Sequence, residues 1–139
     1  MKTTPRIQKI VTELAEKHGL DLTASDAHLH LENKPYEPLV IEKTGLHLVS
    51  LAHYYTQNGD LIPDPDIVFF TGYAEWVPVE ITQMVFGNLR TSTGIWLTED
   101  RNKVQSFHPK HQASIAEFCE DLWAPNLIDQ GWLNAAKAS

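Results

Sequence analysis

The tetrapeptide Gln57-Asn58-Gly59-Asp60 constrains this chain more than any other stretch. Asn and Gly tolerate a positive φ, which a tight chain reversal needs. It follows Leu46 to Tyr55 (LHLVSLAHYY), a strand-like run that is apolar on both faces. Leu46, Leu48 and Ala52 share one face; Val49, Leu51 and Tyr55 share the other. A strand without clean alternation is usually central and covered on both sides. Pro63-Asp64-Pro65 comes soon after the turn. Proline cannot donate to a ladder, so pairing is expected to resume beyond it, at Ile67 to Phe70.

Further short segments flank this pair. Pro38 to Lys43 is strand-like and joins the Leu46 run through Thr44-Gly45, short enough for a tight hairpin. Ala27 to Glu32 alternates His28, Leu29, His30, Leu31 and is broken by Asn33-Lys34-Pro35. After Thr71-Gly72, Trp76 to Thr82 forms another strand, in which Pro78 implies an edge or a bulge. Met84 to Leu97 is rich in Gly, Asn, Thr and Ser and reads as a loop, ending in a short strand at Gly94 to Leu97. Glu99 to Lys103 reads as a charged turn.

Helical periodicity appears at both ends. Ile7, Ile10, Val11, Leu14 and Ala15 form one stripe, with Thr4 as N-cap, Pro5 at the first helical position and Gly19 as the stop. Ile115, Phe118, Cys119, Leu122 and Trp123 repeat the pattern, and Pro125 should kink or interrupt that helix. The expected fold is α+β: an antiparallel β-meander of four to five strands flanked by an N-terminal and a C-terminal helix, in one domain over residues 1–139.

Charge narrows the function classes. Eleven basic and 18 acidic residues give a net charge of −7, which argues against direct nucleic-acid binding through a basic stripe. No apolar run approaches the roughly 18 residues needed to span a bilayer. Met1 to Leu20 carries charges throughout and does not read as a signal peptide, so the cytoplasm is the expected location. The one cysteine, Cys119, excludes an internal disulfide and reads as a buried small hydrophobe.

Three constellations could carry chemistry. His53, Tyr55, Asn58, Asp60, Asp64 and Asp66 surround the sharp turn. A histidine with carboxylates could bind a divalent cation or form an acid/base set for a hydrolase or nuclease. The alternative is structural: carboxylates bonding turn N–H groups, and His53 pairing across strands. Second, His28 and His30 lie two apart and share one strand face, as metal ligands would, with His47, His53 or Glu42 as a third ligand. Third, His108-Pro109-Lys110-His111 opens a helix, where an anion could bind, but no Gly-rich phosphate loop precedes it. Trp132, after the Gly131 stop, is a candidate interface anchor, with core packing as the alternative. No nucleophile elbow or catalytic set is assigned, and no cofactor is called for.

The segment Ala52-His53-Tyr54-Tyr55, then Gln57-Asn58-Gly59-Asp60-Leu61, then Asp64-Pro65, resembles the signature of an uncharacterised bacterial family known only as a domain of unknown function. That family is common among plasmid, phage and integrative-element genes. Pro38 to Glu42, Pro78 with Gln83, and Leu127 with Gln130-Gly131 are similar to its other elements, so the likeness covers about residues 35 to 131. Pro125 departs from the pattern, and Met84 to Lys103 is not obviously matched. The resemblance implies a mobile-element setting and no particular activity. The expected role is a non-enzymatic, protein-binding accessory factor, with a host-defence antagonist as one form of it. A second copy of the chain is one candidate partner. A sensor of small molecules or anions, with a pocket between helix and sheet, is a third reading.

Overall fold

The computed structural model describes every residue from Met1 to Ser139. Helix α1 spans Pro5–Lys17 and buries Ile7, Ile10, Val11, Leu14 and Ala15, the stripe that the periodicity predicts. Thr4 does not cap it through its side chain. Its N–H and Oγ1 instead donate to the Trp76 carbonyl, at 2.9 and 3.2 Å, tying the helix start to the sheet.

Six strands then follow as a meander: β1 (His28–Glu32), β2 (Leu39–Gly45), β3 (Leu48–Gln57), β4 (Asp60–Phe70), β5 (Val77–Val85) and β6 (Asn88–Thr93). All neighbours are antiparallel. A short pair, β7 (Ile95–Leu97) and β8 (Val104–Phe107), forms a separate hairpin. The terminal β9 (Lys137–Ala138) adds outside β1, so the main sheet has seven strands in the order β6-β5-β4-β3-β2-β1-β9. The fold is α+β, with more strands than the four or five expected.

Two differences from expectation have clear causes. Strand β4 starts at Asp60 and passes through both prolines. Pro63 pairs with Tyr54, while Asp64 and Pro65 together face His53 as a bulge. The closing pair Gln57–Asp60 of the two-residue turn exchanges hydrogen bonds, so Pro63 sits at a position whose N–H would point away from β3. The missing donor therefore costs that ladder nothing. Second, Asn88 to Thr93 is strand β6, not loop. It carries almost no apolar pattern because it is an exposed edge. Pro78 does lie beside a bulge, since Phe69 and Val68 of β4 face Pro78 and Glu80.

The C-terminal helices are α2 (Pro109–Glu117), α3 (Ala124–Asp129) and α4 (Trp132–Ala135), with a π-helical turn at Phe118–Trp123 between the first two. Pro125 explains the π turn. It has no N–H, and its ring crowds the carbonyl four residues back. The wider i→i−5 pattern, seen where the Ala124 N–H bonds the Cys119 carbonyl, absorbs this. The extra residue rotates the apolar stripe. Leu122 turns outward and is 51% exposed, while Ala124 and Leu127 are buried.

All the helices lie on one face of the sheet. They pack on Leu29, Leu31, Leu39, Ile41, Val49, Leu51, Ile67, Phe69 and Ile81. The β7–β8 hairpin covers part of the opposite face around Leu48, Phe70, Val77 and Val79. Neither cover reaches the far end of β3 to β6. There Thr56 to Leu61 and Phe86 to Thr91 are exposed, and the residues between them and the core are half-buried. No helix is long and apolar enough to cross a membrane.

Candidate functional site

The bare end of the sheet is built from two hairpins. Asn58 (φ 52°) and Gly59 (φ 83°) reverse β3 into β4; Phe86 (φ 50°) and Gly87 (φ 79°) reverse β5 into β6. Both are two-residue loops with positive φ at both central positions, the primed turn type that suits twisted strands. Antiparallel order puts both tips at the same end of the sheet. The turn at Asn58 uses the residues such a turn favours. The other uses phenylalanine, whose side chain is 99% exposed. An aromatic in the left-handed region is uncommon, and this one gains no packing in return. Leu61, 70% exposed, and Leu89, 49% exposed, stand on the same hairpins.

His53 marks the boundary between covered and bare sheet. Its ring lies 5.8 Å from that of Trp123 and 5.6 Å from that of Trp132. Nδ1 is 3.2 Å from the Glu37 carbonyl and 3.3 Å from that of Pro38, so it carries the proton and donates. Burial holds its pKa below the ordinary imidazole value, against opposing effects of those carbonyls and of the charges on Glu37 and Asp64. Trp123 Nε1 is buried without a partner.

The carboxylates near the turn do not assemble around His53. Asp64 accepts the Met84 N–H at 3.2 Å, which fastens the bulge to β5. Asp60 is exposed in the turn beside Asn58. Asp66 points to the other face of the sheet, where the Ser50 hydroxyl donates to it at 2.6 Å. Burial, with Glu42 nearby, raises its pKa despite that bond. Tyr55 is half-buried on the helix-facing side of β3, beyond the helices. The histidine set separates as well. His28 and His30 share one face of β1, with Leu29 and Leu31 buried on the other, where His53 also lies. His28 is paired with Glu42, His30 Nδ1 bonds the Ser139 hydroxyl, and His47 packs edge-on against Phe70. No three His, Cys, Asp or Glu side chains come together as a metal ion would require. The proposed hydrolase set and the proposed His28–His30–His53 ligand set are thus split across the two faces.

Trp132 is fully buried, so it is no surface anchor. Its Nε1 donates to Gln130 Oε1 at 3.0 Å, which lets an indole sit inside the core. His108 caps α2: its Nδ1 accepts the His111 N–H at 3.2 Å, and the two rings stack at 4.0 Å. Cys119 is buried, and burial pushes its thiol far up, out of the nucleophilic range. The cleft between helix and sheet, lined by Ile81, Gln83, Ser92, His111, Ser114, Ile115 and Phe118, holds about 180 Å³. Small-molecule pockets usually exceed about 300 Å³. Larger hollows lie elsewhere, on the helix surface around Ile10 and Ile128 and beside Phe70 and Tyr73.

Sequence reasoning nominated Tyr55, Asn58 and Asp60, which do sit at the bare end, but it missed Phe86, Leu61 and Leu89. The available signal was Phe86-Gly87, an apolar residue directly before a glycine, in the place that Asn58 holds before Gly59.

A seven-stranded antiparallel sheet with all its helices on one face defines an α+β protein. The chain belongs to the domain-of-unknown-function family DUF6908, whose model matches residues 6–133. Neither the curated proteins nor the solved structures gave a match.

Proposed function

We propose that this domain is a non-enzymatic protein-binding module, and that the bare end of its sheet is the surface it presents. One observation carries the reading. Phe86 is 99% exposed at a tight turn where Asn or Gly would be less strained. Exposed aromatics anchor interfaces, because a large rigid side chain buries much area with little lost entropy. Leu61 adds apolar surface on the neighbouring hairpin, and Tyr55, Asn58 and Asp60 add polar groups around it. The net charge of −7 suits a protein partner better than a phosphate backbone. The likeness of the turn motif to plasmid, phage and integrative-element proteins supports an accessory role for a mobile element, with antagonism of host defence as its specific form. The bacterial cytoplasm is the setting that fits this.

The test compares pull-downs from lysate using the natural protein and the double variant Phe86→Asp, Leu61→Asp. A partner retained by the natural protein should be lost from the variant while its circular dichroism and melting temperature stay the same. Equal capture by both proteins would sink the assignment of this surface.

A further inference from the structure

The two edges of the sheet are treated differently. On one side, β9 adds to β1 at Leu31 and Glu32, and the Ser139 N–H bonds the His30 carbonyl, so the chain's own C-terminus covers that edge. On the other side no strand pairs with the outer edge of β6, although α2 comes close to the strand. Exposed edges are normally blunted by proline, charged side chains (lysine above all), bulges or extreme shortness. Strand β6 has six residues, no proline, no lysine and no bulge, and Arg90 is its one charge.

The hydrogen-bond parity of β6 is set by its turn. The closing pair of a two-residue hairpin exchanges both backbone bonds, so Asn88 bonds Val85, and Arg90 and Ser92 bond inward in the same way. The Gly94 N–H, 2.7 Å from the Val79 carbonyl, continues the same alternation. The backbone groups of Leu89, Thr91 and Thr93 therefore point outward, unpaired.

We infer that a second copy of this chain docks there, β6 against β6, antiparallel about a twofold axis through Thr91. In this register Thr91 faces its own counterpart, and Leu89 faces Thr93 of the second copy. All three outward residues of each strand are then used. Moving the axis to Arg90 would place the two guanidinium groups directly opposite each other, which is repulsive. With the axis at Thr91, Arg90 faces Ser92.

The outward residues are symmetric about Thr91, and local charge does not oppose a second copy as the occupant. The chain carries 18 acidic residues, yet Arg90 is the one charged side chain from Ile81 to Thr98. This edge is where two copies of a protein of net charge −7 can meet without carboxylates opposed across the seam. Phe86 lies beyond the paired residues, so the dimer uses the β6 edge of the bare end and not the Phe86 turn itself.

Register makes the test specific. Hydrogen-bonded antiparallel pairs place Cα atoms about 5.5 Å apart, whereas diagonal neighbours lie about 7–8 Å apart. The Thr91→Cys protein, treated with a short thiol-reactive crosslinker, should become a covalent dimer; Arg90→Cys and Ser92→Cys should not. Cys119 is buried and does not compete. Thr91→Pro removes an outward donor without touching an inward N–H. Symmetry removes two bonds per dimer, so the dissociation constant should rise about tenfold or more by light scattering or sedimentation. A natural protein that stays monomeric from micromolar to millimolar concentration overturns the inference and leaves the edge to a foreign strand. Crosslinking strongest at Arg90 or Ser92, or a folded Thr91→Pro protein that dimerises as tightly as before, overturns it too.

Discussion

Strands β3, β4 and β5 each run through two environments, and the contrast shows what each stretch of sequence is for. In β3, Leu48 to Ala52 are buried, whereas Tyr54, Tyr55 and Thr56 are not. The covered half obeys the rules of a core: apolar on both faces, under helices on one side and the β7–β8 hairpin on the other. The bare half keeps the ladder but not the packing. Within it, the two turns differ again. The Asn58-Gly59 turn satisfies the backbone at low cost, while Phe86 accepts a disfavoured backbone and leaves a large apolar ring in water. The covered half is where the fold is held together, and Phe86 is where a residue is present for something other than the fold.

The largest effect that could break this comparison is in the covered half. Trp132→Ala should lose about 3 to 5 kcal/mol of stability in urea unfolding, because it empties a fully buried indole site. Phe86→Ala, an aromatic truncated at the bare end, should stay within about 0.5 kcal/mol of the natural protein. Comparable losses from the two would mean that Phe86 packs in the monomer and that the bare half is not bare.

Phe86→Asn should produce a smaller effect of opposite sign. Asn occupies the left-handed region more readily than phenylalanine and gives the turn an Asn-Gly pair like that of the other hairpin. A gain of about 0.5 to 1 kcal/mol, with an unchanged denaturant slope, is expected. A loss would show that the ring stabilises its own turn, and the argument for a contact residue would fail.

The same contrast explains what could be read in the sequence. Residues of the covered half carry their environment in their periodicity. The α1 stripe and the doubly apolar β3 were legible for that reason. Strand β6 was not, because an uncovered edge needs no apolar pattern, and its threonines, serine and asparagine look like loop. The prolines of β4 read as a break because sequence does not show which side of the ladder loses a donor. The π turn was invisible as such: Pro125 announced an interruption, but whether the helix stops or widens depends on what Cys119 and Trp123 pack against. For the candidate site, the Asn58 turn was legible as a reversal, whereas the separation of Asp66 from His53 follows from strand alternation and the Asp64-Pro65 bulge.

Acid should test the boundary between the halves, with the smallest effect of the three. His53 is the last residue of β3 under the helical layer, neutral between Trp123 and Trp132. Its folded pKa lies below the unfolded value of about 6.5, because burial disfavours the imidazolium. Above that value both states carry the neutral ring, and its stabilising contribution is complete. As pH falls below it, the unfolded chain takes up the proton first, so stability declines until the folded pKa is passed and then levels. Asp66 works in the opposite sense. Its raised pKa means that the fold binds a proton more readily than the unfolded chain does, so protonating it strengthens the fold. Comparing the natural protein with His53→Gln at each pH cancels Asp66 and the other groups. The stability difference between the two should shrink from pH 7.5 toward pH 5 as the natural protein loses the histidine contribution. A difference that stays constant over that range would mean that the ring charges as easily folded as unfolded. The helical cover would then end before His53, and the line between the two halves of the sheet would have to be drawn nearer to Ala52.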